Sequence, residues 1–140
     1  MAIIWQHNII PCEGEAVAVK VVSGASTGIA LTTGRLLSAA ASDNATNVKA
    51  SAGTLFYIKL YSAASALRYL KLYDKATAPT SADTPFLTQV LQPNANLFLD
   101  WYGGRTFLLG LGFRLTTGVL DNDAGALTAG DVLAMNVEYV

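Results

Sequence analysis

The run T-L-F-Y-I-K-L-Y at residues 54–61 changes character at every second position. That period belongs to an extended strand with one face in a core, because a helix repeats every 3.6 residues instead. One face reads Thr54, Phe56, Ile58 and Leu60, and the other reads Leu55, Tyr57, Lys59 and Tyr61. A lone strand leaves its backbone N–H and C=O groups unpaired, so partner strands must exist elsewhere in the chain.

They are easy to find. Leu67 to Asp74 repeats the theme, with Leu70 and Leu72 on one face and Tyr69, Lys71 and Tyr73 on the other. A hairpin turning at Ala64, within the small-residue loop Ser62 to Ala66, would set Lys59 opposite Tyr69 and Tyr57 opposite Lys71. Each lysine would then lie beside a ring, a favourable cross-strand arrangement. Further strands are expected at Val17–Val22, Phe86–Leu91, Leu97–Trp101, Phe107–Thr116 and Val132–Tyr139, with a short piece around Ile29–Leu37.

In Phe107–Thr116 the apolar face is Phe107, Leu109, Leu111, Phe113 and Leu115, a strand through the middle of the core. Its Gly110 and Gly112 suggest that another backbone or chain comes close, and that face is a candidate for inter-subunit packing. The last strand is expected to bury Leu133, Met135, Val137 and Tyr139. Seven or eight short strands with turn residues between them, and no sustained helical period, predict an all-β protein. The expected fold is an antiparallel β-sandwich, jelly-roll-like, with an extended N-terminal arm. The arm is residues 1–15, mixed in character and carrying Pro11; the sandwich domain is 16–140, within which 23–47 is loop, edge strand or arm.

After Asp74 the pattern stops. Pro79 and Pro85 deny donors to any central ladder, so residues 75–85 form a surface loop. The loop is poor in charge, which suits a segment lying on something.

Composition sharpens the point. The chain is 52% hydrophobic and 14% charged, against about 25% charged in ordinary domains. A separate soluble domain needs more charge than that, so part of the apolar surface is expected to be covered by other subunits. The net charge of −1 gives no basic footprint for nucleic acid. No apolar run reaches the roughly 18 residues of a membrane span. The opening M-A-I-I-W-Q-H lacks a basic region before a long apolar stretch, so no signal peptide is expected. Cys12, the single cysteine, excludes an internal disulfide and fits a reducing compartment.

Several runs share a pattern with one family: N-A-T-N-V-K-A-S-A-G-T-L at 44–55, Y-L-K-L-Y-D-K-A-T-A-P-T at 69–80 and D-T-P at 83–85. The pattern continues through the Gly-rich strand around 107–118, D-N-D at 121–123, A-G-D-V at 129–132 and a final strand ending in Tyr139. From Asn44 to Val140 the chain resembles the capsid decoration (cement) and other head-associated proteins of tailed-phage virions. K-L-Y-D-K-A-T-A-P is the most specific of these runs. The resemblance implies a non-enzymatic virion protein without cofactors, made in the host cytoplasm. It would sit on the capsid surface as a homo-oligomer, with a trimer favoured, against the major capsid protein. Residues 1–43 fall outside the resemblance.

Candidate sites are few. His7, the only histidine, is distant in sequence from any acidic cluster, and Cys12 beside Glu13 has no neighbouring cation to activate it. G-G-R at 103–105 and G-L-G-F at 110–113 precede no helix, so neither suits a phosphate. Asp121 and Asp123 before Gly125, with Asp131 ten residues after Asp121, echo a calcium loop. The template lacks its remaining ligands, and an Asx-rich turn accounts for the same letters. Interface candidates are the apolar arm residues Ile3, Ile4, Trp5, Ile9 and Ile10, the loop residues Pro79 and Pro85, and Trp101 with Tyr102. The Tyr57, Tyr61, Tyr69, Tyr73 face offers a second possibility, a carbohydrate- or receptor-binding module of a virion appendage. An ordinary outer sheet face explains those tyrosines equally well.

Overall fold

The computed structural model describes residues 29–38 and 42–140. The arm 1–15, the strand Val17–Val22 and the residues Ile3, Ile4, Trp5, His7, Ile9, Ile10 and Cys12 lie outside the described residues. Eight strands follow in order: β1 Thr32–Leu36, β2 Thr46–Lys49, β3 Gly53–Ser62, β4 Arg68–Asp74, β5 Leu87–Leu91, β6 Ala95–Phe107, β7 Leu111–Thr116 and β8 Val132–Tyr139.

Their pairing has one rule. β1 pairs with β8, β2 with β7, β3 with β6 and β4 with β5, all antiparallel, as if the chain were folded in half at the β4–β5 turn. Two further antiparallel pairings, β3 with β8 and β4 with β7, gather these ribbons into sheets ordered β1-β8-β3-β6 and β2-β7-β4-β5. The described residues therefore form an antiparallel β-sandwich with the rolled-up order of a jelly roll.

Between the sheets lie Leu55, Ile58 and Leu60 of β3, Leu70 and Leu72 of β4, Phe107 of β6, Leu111, Phe113 and Leu115 of β7, and Val132, Met135 and Val137 of β8, all buried. Each such side chain contributes about 1.5–3 kcal/mol on leaving water.

Four strand-level expectations need correction. First, β3 and β4 are not a hairpin. They belong to different sheets, and the Ser62–Ala66 segment crosses between them, with Asn94 N–H donating to the Ala64 carbonyl and Ala63 N–H to that of Asp131. Strands half-buried in opposite sheets carry the same period-two pattern as two hairpin partners, so alternation cannot tell them apart. Second, Leu55 faces the core alongside Ile58, because a register shift between Leu55 and Tyr57 changes the parity of β3.

Third, Phe107–Thr116 is two strands. The chain turns at residues 108–110, leaving Leu108 and Leu109 exposed while Leu111, Phe113 and Leu115 stay in the core. Fourth, Leu133 points outward. Ala134 takes a left-handed conformation (φ 50°) beside a register shift between β3 and β8, which reverses the parity and buries Val132 instead.

Candidate functional site

The second sheet is covered on its outer face over β7 and part of β4, and among the described residues two loops supply that cover. Loop 75–85 folds back across the start of β7. Pro79 is buried, and a side chain at Gly112 would meet its ring carbons at 2.9 Å. At Gly110 an added Cβ would lie 2.6 Å from the carbonyl oxygens of both Lys49 and Lys75. Backbone carbonyls thus require the glycine at 110 and the Pro79 ring the one at 112, so the close approach foreseen at Gly110 and Gly112 comes from within the chain. The Asp83 carboxylate organises the loop, accepting from Lys75 Nζ at 2.6 Å, Thr80 N–H at 2.7 Å and Thr80 Oγ1 at 2.9 Å. Those donors hold its pKa down to about 2. Of the two prolines read as interface candidates, Pro79 is sealed inside the chain and Pro85 is half-buried.

Loop 117–127 covers the other end. Beneath it, Lys71 and Arg114 have no exposed surface at all. Arg114 Nε donates to Asp43 at 2.7 Å, its Nη2 to the Asp123 carbonyl at 2.8 Å, and its Nη1 to the Tyr73 hydroxyl at 3.4 Å. Lys71 Nζ donates to the Leu120 carbonyl. The Asp123 carboxylate accepts the N–H groups of Gly118 and Gly125, both at 3.0 Å, and so closes the loop on itself. Burial pushes the Lys71 ammonium below its usual range; the nearby Asp123 opposes that shift and Arg114 adds to it. Burial raises the Tyr73 hydroxyl, against the pull of Arg114.

Held this way, the loop turns two apolar side chains to solvent, Val119 (52% exposed) and Leu120 (69%). A similar tip stands at the opposite end of β7. There the Asp74 carboxylate accepts N–H groups from Leu108, Leu109 and Gly110 at 2.7–3.2 Å. Burial works against its charge, but the three donors prevail and its pKa falls. Leu108 (74% exposed) and Leu109 (62%) project from that turn. Exposed apolar side chains on backbone pinned by charged groups lose little further entropy on docking, so they suit the role of anchors.

β6 carries a third projection. Between two consecutive rungs with β3, that strand advances from Leu55 to Tyr57 while β6 advances from Arg105 to Asp100. Trp101–Gly104 thus lie opposite the single residue Phe56, with Gly103 and Gly104 both at φ 84°. Trp101 packs against the core and Tyr102, at 96% exposure, stands free of it. Of that pair, then, Tyr102 is available to a partner and Trp101 is a structural anchor.

The four-tyrosine face is divided. Tyr57 and Tyr61 lie on β3, and Tyr69 and Tyr73 on β4 in the other sheet, where Tyr73 is buried. Tyr57 keeps one aromatic neighbour, Phe98, with ring centres 5.5 Å apart and planes inclined at 44°. Burial and the adjoining Glu138 raise the Tyr57 hydroxyl.

The three carboxylates of the calcium-like pattern are also parted. Asp121 is exposed on the loop and Asp123 is spent on its backbone, while Asp131 pairs with Arg68 at 2.7 Å and caps Thr128 N–H at 3.1 Å. Among the described residues no three His, Cys, Asp or Glu side chains gather where a metal could be held. No helix among them is long and apolar enough to cross a membrane.

Neither apolar tip was foreseen from sequence. For Val119 and Leu120 a signal existed, since V-L sits inside the turn-rich stretch G-V-L-D-N-D-A-G, where no strand could bury it. For Leu108 and Leu109 the alternation itself concealed the turn. Comparison with known proteins finds no matching family model, no matching curated protein and no matching solved structure.

Proposed function

We propose that this chain is a structural virion protein, a decoration (cement) subunit that binds the assembled head shell of a tailed phage and ties neighbouring capsid proteins together. The observation that carries the proposal is the pair of apolar tips, Leu108–Leu109 and Val119–Leu120, fixed by Asp74 and by Lys71 with Arg114. Charged groups are enlisted to hold greasy side chains in water, an arrangement that makes sense when protein covers them. The low charge of the chain and the sequence runs at 44–55 and 69–85 support the same function.

The mechanism is passive. Many copies, each bound with moderate strength, raise the free energy of shell opening because binding favours the closed form by mass action. Linkage through an oligomer makes detachment rarer still. A glycan-binding role is less well supported, because the ring platform it needs is split between two sheets. A density map of the phage head at modest resolution tests the proposal: a sandwich of this size should lie on the shell's outer surface with the β7 ends toward the capsid protein. A head with no such density would refute it.

A further inference from the structure

We infer that strand β6 is a homodimer contact, through which two copies pair antiparallel about Phe98. β6 is an edge strand of its sheet, so among the described residues nothing pairs with its outer N–H and C=O groups. Proteins guard long edges with proline, lysine or a bulge, because a bare one recruits another chain. Ala95–Leu99 has none of these devices, and Asp100 is the one charge before the bulge: the six rungs with β3 run unbroken from Ser62–Ala95 to Tyr57–Asp100, and the bulge begins only at Trp101. Its inward side chains Leu97 and Leu99 are only half-buried although they pack on the core, and its outward Phe98 is 61% exposed.

Among the described residues this side of the sandwich is also incompletely closed. A cavity of about 190 Å³ opens between β5 and β6, lined in part by Ala95, Asn96 and Leu97. Ser62, another lining residue, keeps a buried Oγ without a hydrogen-bond partner. A strand added to β6 would cover the lining residues from outside.

Register selects the arrangement. Residues directly opposite in an antiparallel pair share a face, so a two-fold axis must pass through a single residue. Centred on Phe98, the pairing sets Phe98 against its own copy, Leu97 against Leu99, and the Asn96 amide against the Asp100 carboxylate. Apolar then meets apolar and donor meets acceptor throughout. Centring on Leu97 or Leu99 instead sets Phe98 against Asn96 or Asp100. This contact closes at two copies, whereas the family resemblance implies three, and it stands independently of the shell-binding function.

The test is the mass of the purified full-length chain, with positional cross-linking. The expected species has twice the chain's 14.7 kDa, and Phe98→Lys should be a folded monomer that melts somewhat below wild type, because it loses the Tyr57 ring contact, sets a second lysine opposite Lys59 and no longer gains from association. In a Cys12→Ser background, Phe98→Cys should form a disulfide-linked dimer under mild oxidation. Lys59→Cys should not, although Lys59 is exposed on the neighbouring strand, because the two copies of that residue would lie three strand spacings apart, about 14 Å. A monomeric or trimeric native chain, a Phe98→Lys variant that keeps the native mass, or equal cross-linking at both positions would each overturn the inference. Shell binding by a chain that fails these tests would leave the decoration function standing.

Discussion

Lys71 on β4 and Arg114 on β7 face each other across one rung of the ladder, and neither has any contact with water. Two adjacent buried cations are tolerable only because Asp43, the Tyr73 hydroxyl and the carbonyls of Leu120 and Asp123 converge on them. Removing one member of such a set strands the others without partners. Arg114→Leu should therefore cost about 3–5 kcal/mol in urea unfolding.

Lys71 should behave differently with pH. Its folded pKa lies below 10.5 because burial disfavours the ammonium. Between the folded and unfolded values the unfolded chain binds more protons, so stability from this group rises with pH across that window. Wild type should thus gain on Lys71→Met as the pH is raised toward 10, as read from paired urea midpoints. A constant difference between the two proteins would show that Lys71 remains charged in the fold throughout.

Asp83 gives the opposite trend at acid pH. Its folded pKa of about 2 lies below the ordinary 3.8. The stabilisation is present above pH 4 and lost as the pH falls toward 2, because protonation releases Lys75 and Thr80. Asp83→Asn should lower stability near neutrality and lose less than wild type between pH 4 and 2. Urea midpoints at pH 5, 3.5 and 2 measure the difference.

Gly110 and Gly112 should resist substitution for steric reasons alone. A Cβ at Gly110 meets two carbonyl oxygens at 2.6 Å, and one at Gly112 meets the Pro79 ring. Alanine at either should cost about 1–3 kcal/mol by overpacking. Gly110→Ala should be the worse of the two, since backbone yields less readily than a proline ring. Thermal melting of both variants decides the order.

Much of the architecture was legible from the period-two pattern. The strands at β3, β4, β5 and β8 and the loop after Asp74 follow from alternation and proline chemistry, and the sandwich follows from their number. What alternation could not supply was partner identity. Tyr69, Lys71 and Tyr73 read as a wet face because lysine and tyrosine normally seek water, yet Lys71 and Tyr73 are buried, and a loop some fifty residues further on accepts the lysine's hydrogen bond. The turn at Leu108–Gly110 was invisible for a related reason: the Asp74 carboxylate that holds it comes from a distant strand. The parity shifts at Leu55–Tyr57 and at Ala134 fall on residues that are neither glycine nor proline; only Gly103 and Gly104, on the partner strand β6, mark the first. Tyr102 was named as an interface candidate from its place before two glycines, and the structure leaves it exposed, whereas the apolar tips emerged only once the loops were fixed.

The most direct test of the shell-binding function is co-sedimentation of the purified chain with phage heads stripped of it. Wild type should pellet with the heads to a saturable limit, while a variant carrying Leu108→Ser, Leu109→Ser and Leu120→Ser, with its melting temperature nearly unchanged, should bind at least about tenfold more weakly, the equivalent of some 1.4 kcal/mol. A wild-type chain that stays in the supernatant, or a triple variant that pellets as well as wild type, would contradict it.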